Sequence, residues 1–194
     1  MKFKDALLST LIIEVGIALL AVINYGATLE TLQAVTRFSG RASLAIFSII
    51  FLFQNHRHIN VKAILSEKYF SIFAIAHGIH LIQLLTFIYV SGNELIPLRL
   101  AGGFLAYMLI FIMPFAQRLF ELNKISQKQF SVLTLIYLYY VWFIFFMSYL
   151  PRVRGELPNV GGSYSEFIVL LAWVSLMMGM KLQGILMSRI SFKK

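Results

Sequence analysis

Residues 69–90 read Tyr69-Phe70-Ser71-Ile72-Phe73-Ala74-Ile75-Ala76-His77-Gly78-Ile79-His80-Leu81-Ile82-Gln83-Leu84-Leu85-Thr86-Phe87-Ile88-Tyr89-Val90, with no Asp, Glu, Lys or Arg among them. A helix needs roughly 20 mostly apolar residues to cross the hydrocarbon core of a bilayer, which is about 30 Å thick. The stretch has that length, whereas a soluble core is built from short amphipathic segments. It therefore reads as a transmembrane helix, and the rest of the chain divides around it in the same way. Spans are expected at 6–24 and 35–54 before it, and at 95–116, 130–150 and 164–180 after it.

Composition agrees: of 194 residues, 59% are hydrophobic and 13% are charged, against about 25% charged in soluble domains. Connections are short. Gly92-Asn93 separates the third and fourth spans, and Pro151, Gly155, Pro158 and Gly161-Gly162 break the chain between the fifth and sixth. The expected fold is all-α, a single domain forming a bundle of six transmembrane helices. The first span reads as an uncleaved helix, because the run is long and Asn24-Tyr25-Gly26 is a poor small-residue cleavage site. Tyr25, Tyr69, Tyr89, Tyr149 and Tyr164 fall near span ends, where an amphipathic ring reaches the headgroups.

The net charge of +9 would point to nucleic acid in a soluble protein, but here topology accounts for it. Lys2, Lys4, Arg57, Lys62, Lys68, Arg118, Lys124, Lys128, Lys181, Arg189, Lys193 and Lys194 fall on one side of the six-span layout, and Arg37, Arg41, Arg99, Arg152 and Arg154 on the other. Cytoplasmic loops carry the excess of Lys and Arg, so a split of 12 to 5 predicts both termini in the cytoplasm. Absence of cysteine excludes disulfides, thiolate-held iron–sulfur clusters and cysteine nucleophiles. No Gly-rich phosphate loop, HExxH or GxSxG motif occurs, so a hydrolase is not expected.

Ionisable groups inside the membrane cost about 2.5–3.5 kcal/mol on insertion scales and usually face the bundle interior. Glu14 stands near the middle of the first span, where it is expected to be protonated or paired with a histidine or arginine. It would then serve either as a proton-handling group or as an interhelical hydrogen bond. His77, His80, Gln83 and Thr86 follow one another at three-residue intervals. Each step is offset by about 60° on a 3.6-residue helix, so the strip winds slowly around one side. These imidazoles suit haem or another metal, a proton relay, or a packed polar interface without cofactor. His56 and His58 fall in a cytoplasmic loop and are expected to be solvated. Arg37, Arg41 and Arg99 are expected at the outer interface, beside lipid phosphates or the acidic groups of a cofactor. Tyr137, Tyr139, Tyr140 and Trp142 either line a cofactor pocket or pack.

Thr36-Arg37-Phe38-Ser39-Gly40-Arg41-Ala42-Ser43-Leu44, at the outer start of the second span, is similar to the Thr-Gly-Arg-x-Ala-Leu opening of ferric reductase-like transmembrane domains. The aromatic approach to a histidine in Tyr69 to His77 is similar to that family's third helix, and Ala101 to Pro114 to its fourth. The family includes the haem-bearing membrane subunit of the bacterial periplasmic methionine sulfoxide reductase system. The resemblance, from about Thr36 to Leu150, implies a bacterial inner-membrane protein with a b-type haem that passes electrons to other membrane subunits or a redox partner. The family sets histidines on its third and fifth helices to hold haem from both sides. His77, or His80, fills the first role, with Arg41 near the propionates. The fifth span here has no histidine, and Ser131 stands about where the family's first would fall. What is implied is therefore a single-histidine or modified haem site fed by an outside electron donor. The alternatives are a haem-free membrane scaffold or accessory subunit, and a small transporter using Glu14 and the His77 strip as a polar path.

Overall fold

The structure, a computed structural model, describes residues 2–54, 61–92, 97–157 and 161–191. Its helices are α1 (Phe3–Tyr25), α2 (Leu29–Phe53), the single turn α3 (Val61–Ile64), α4 (Tyr69–Ser91), α5 (Pro97–Glu121), α6 (Gln127–Val153) and α7 (Tyr164–Ser191), with no strand among the described residues. Six of them are long and apolar enough to cross a membrane. His56, His58, Asn93 and Pro158 lie outside the described residues.

The helices run past the hydropathy-based bounds because capping turns are polar. Residue 35 was the expected start of the second span, yet α2 begins at Leu29. There the Thr28 hydroxyl accepts the Thr31 N–H at 3.4 Å, and the Thr31 hydroxyl donates back to the Gly26 carbonyl. The first bond satisfies an N–H that a helix start leaves unpaired, and the second ties the first turn to the preceding bend. A capping box opens α6: Ser126 Oγ accepts the Gln129 N–H at 3.2 Å, while Gln129 Oε1 accepts the Ser126 N–H at 2.8 Å. Pro151, expected to break the chain, sits inside the last turn of α6, where it removes one backbone hydrogen bond near the helix end. The chain turns only at Gly155, whose φ is 71°.

Successive spans pack against one another, and α2 is the central helix, touching α1, α4, α6 and α7. At the end that carries both termini, Phe47, Phe51, Phe70, Phe73 and Tyr137 are fully buried. Phe70 and Tyr137 meet edge-on with centroids 5.3 Å apart, and Phe47 lies 5.5 Å from Phe73 and 5.4 Å from Phe145. Such ring pairs add about 0.5–1.5 kcal/mol each beyond burial. Tyr140 Oη donates to the Gly102 carbonyl at 3.1 Å, Trp142 Nε1 to the Val174 carbonyl at 2.8 Å, and Tyr139 sits edge-on to Phe51. The aromatic run of α6 thus packs the bundle. On α7, Trp173 Nε1 donates to Ser48 Oγ at 3.0 Å, and Lys181 Nζ donates to the Phe51 and Gln54 carbonyls at 2.6 and 2.7 Å. Large apolar side chains such as Ile12, Leu20 and Phe115 face outward, as a lipid-facing surface requires.

Candidate functional site

The segment of α2 from Thr36 to Leu44 organises the polar interior. Ser39 and Ser43 are one turn apart, about 6 Å along the helix, and meet different neighbours: Ser39 bonds Glu14 of α1, and Ser43 approaches His77 of α4. Ser43 Oγ donates to the Gly40 carbonyl at 3.0 Å and lies 2.9 Å from His77 Nδ1. With the hydroxyl proton on the Gly40 carbonyl, the serine oxygen can accept an Nδ1–H, and the His77 tautomer that carries this proton presents Nε2 as an acceptor. The His77 ring is stacked between Phe73 and Tyr107, at 5.3 and 4.8 Å, with Phe145 at its edge. His80 is 5.2 Å away, ring to ring. It lies against Gly40, where a Cβ would stand 3.0 Å from its Cε1, and its Nδ1 is buried without a hydrogen-bond partner. Glycine at position 40 is what lets the imidazole rest on the α2 backbone.

Both histidines line a cavity of about 290 Å³ enclosed by α2, α4, α5, α6 and the start of α7. Tyr107 and Ile110 come from α5, and Val141, Ile144, Phe145, Ser148 and Tyr149 from α6. Arg37, Arg41 and Arg152 also line it, toward the end of the bundle opposite the termini. Arg41 makes a forked pair with Glu166, at 3.0 and 3.4 Å. Nε of both Arg37 and Arg41 is buried without a hydrogen-bond partner. Arg152 donates to the Ser148 carbonyl and stands 5.8 Å over the Phe167 ring. The α6–α7 connection presses on this end: a Cβ on Gly161 would meet Gln33 Oε1 at 2.5 Å and Arg37 at 2.8 Å. Gly161 and Gly162 have φ of 62° and 84°, so glycine answers both the close approach and the left-handed backbone. Three guanidinium groups thus share the cavity with one carboxylate beside it, which favours an anionic occupant at this end.

Of the residues singled out from sequence, His77, His80 and Arg41 converge on this cavity. Arg37 joins them instead of facing lipid. Glu14 does not. It is 6% exposed at the junction of α1, α2 and α4, and it accepts from Ser39 Oγ at 2.9 Å and Gln83 Nε2 at 3.4 Å, not from a histidine or arginine. The polar strip winds as its spacing predicts: His77 and His80 face the cavity, Gln83 turns to Glu14, and exposed Thr86 bonds only the Ile82 carbonyl of its own helix. Ser131 is exposed and bonded to Gln127, outside the cavity. The Arg99 side chain lies outside the described residues. Tyr107, Ser43, Arg152 and Glu166 escaped sequence reasoning as site residues. Tyr107, a lone phenol inside an apolar run, is the one whose position carried a visible signal.

The donor set bears directly on haem. Imidazole comes from α4 alone, and the facing surface of α6 offers Val141, Ile144 and Phe145, so ligation by two histidines has no second donor among the described residues. One axial imidazole is available in the cavity wall. His77 has its Nδ1 held by Ser43, the outer-shell bond that orients a ligating histidine, and the guanidinium groups suit acidic substituents. As a site for a bare metal ion the pair is incomplete: no third His, Cys, Asp or Glu joins it among the described residues. No protein-family model, curated protein or solved structure matches the chain.

Proposed function

We propose that this protein is a divergent ferric reductase-like membrane subunit that holds a b-type haem through one imidazole, His77, and passes electrons within a larger membrane assembly. The observation that carries the reading is one cavity with guanidinium groups at one end and, in its wall, a histidine held at Nδ1 by Ser43. A haem bound there would supply one-electron exchange with a partner subunit or an outside donor. In this reading Ser43 orients the His77 ring, Arg37 and Arg41 hold the acidic edge, and Ile110, Val141 and Ile144 keep water from the apolar interior. The 12 to 5 split of basic residues supports an orientation with both termini in the cytoplasm and the arginine end outside, as in a bacterial inner membrane. Reporter fusions after Asn93 and Asn159 are expected to report outside, and those after Asn60, Asn123 and Lys194 inside.

The test is a visible spectrum of protein purified after haem-replete expression. A Soret band unlike that of a bis-histidine cytochrome, lost in His77→Ala, supports the proposal. Neither Soret absorbance nor iron in a fully assembled preparation overturns it. The second reading, a haem-free scaffold or accessory subunit, has its own observation: both faces of His77 are covered by Phe73 and Tyr107, the environment of a packed imidazole. Under it His77→Ala acts through packing alone, at about 0.6–2 kcal/mol.

A further inference from the structure

We propose that the junction of α1, α2 and α4 is a binding site for a small monovalent cation, a proton or a sodium ion, held by Glu14, Ser39 and Gln83. Glu14 stands midway along α1 and is 6% exposed. Its contacts are a serine hydroxyl at 2.9 Å and a carboxamide at 3.4 Å. Neither Arg41–Glu166 nor Arg154–Glu156 involves Glu14, and no cationic side chain among the described residues is paired with it. A bare carboxylate at this depth, balanced by two neutral dipoles, is far from satisfied. A cation is the missing component.

Gln83 supplies an independent sign of the same thing. Its Oε1 is buried without a hydrogen-bond partner, while its Nε2 faces Glu14 at the long distance of 3.4 Å. Carboxamide oxygen and nitrogen are interchangeable by a flip of the group. Flipped, Gln83 turns its orphan oxygen toward the carboxylate, and two acceptors face each other across the place where a cation binds. A proton there becomes the O–H of Glu14 donating to Gln83. A sodium ion there has carboxylate, carboxamide and Ser39 hydroxyl oxygens, the hard donors such ions take. The site stands apart from the cavity, whose lining includes none of Glu14, Ser39 and Gln83. It owes nothing to the haem reading.

The experiment uses the full chain in lipid nanodiscs. Thermal stability is measured in sodium chloride and in choline chloride at equal ionic strength, and infrared spectra are recorded for the parent and Glu14→Gln. A sodium ion that binds the folded state raises the melting temperature progressively with its concentration. Such a rise, absent in Glu14→Gln, supports the sodium form. Stability indifferent to sodium, with a protonated-carboxyl band in the parent that Glu14→Gln removes, supports the proton form. Stability indifferent to sodium and no protonated-carboxyl band in the parent overturns the proposal, and both measurements on the parent stand even if the variant fails to fold. A haem spectrum, present or absent, leaves each outcome unchanged.

Discussion

The two ends of this bundle are made of opposite materials. Toward the termini, Phe47, Phe51, Phe70, Phe73 and Tyr137 are buried between α2, α4 and α6 with their rings in contact. Toward the other end the same three helices hold arginine, histidine, glutamine and serine around a cavity of about 290 Å³. The change falls within one turn of α4, between Phe73 and His77, whose rings are still stacked at 5.3 Å. Association of helices in lipid depends on close van der Waals contact and interhelical hydrogen bonds. The aromatic end can therefore hold the bundle together, while the polar end is left open and shaped for something else.

Truncating the closed end is expected to give the largest loss. Phe47→Ala removes a ring that touches Phe51, Phe73, Tyr137 and Phe145, and should destabilise the protein in detergent unfolding by about 3–5 kcal/mol. Leu84→Ala, in the wall of the cavity, should cost less, about 2 kcal/mol, because this side chain is only partly buried and gives up less transfer energy than Phe47. Equal losses at the two positions would erase the distinction between the ends.

Gly40→Ala is a finer probe. The new Cβ would stand 3.0 Å from His80 Cε1, so the ring must shift by a few tenths of an ångström. Overpacking of about 1–3 kcal/mol is offset by the gain of about 1 kcal/mol in helix propensity. The net change should be small, while the His80 ring resonances in NMR spectra move. Unchanged His80 signals would mean that the imidazole does not rest on α2.

Glu166→Gln weakens a forked pair whose carboxylate side chain is 38% exposed. A loss of about 0.2–1 kcal/mol, shrinking with added salt, is expected from thermal melts. Thr86→Val should have the least effect, within about 0.5 kcal/mol, because that hydroxyl bonds only its own helix. A large loss at Thr86 would show that the polar strip on α4 meets another helix beyond Gln83.

The spans were readable from sequence because hydrocarbon thickness is a constraint that each segment meets alone. Their ends were not, since Thr28 and the Ser126–Gln129 box act through hydrogen bonds in polar turns that hydropathy leaves out. For the site, the residues that announced themselves were polar groups in apolar company: Glu14, His77 and His80. Which of them share a space depends on how each helix is rotated about its axis, and rotation is settled by partners on other helices. Glu14 and His80 show the point. Both reach the same turn of α2, yet Ser39 takes the first and Gly40 carries the second. Arg152 and Glu166 were hidden for a related reason, because residues at a span end look like interface anchors until the cavity between them is seen.

The ammonium of Lys181 bears on how the protein is made. Its two bonds complete the last carbonyls of α2, reaching Phe51 across 130 positions of sequence, and a cation is favourable at that end of a helix. While the chain is being synthesised, the second span enters the bilayer long before this partner exists. Its terminal carbonyls must rely on headgroups or water until the final span arrives. The two bonds between Lys181 and the end of α2 thus form only once the final span is in place, beside the contacts of Trp173 and Glu166 that tie the same helix to α2.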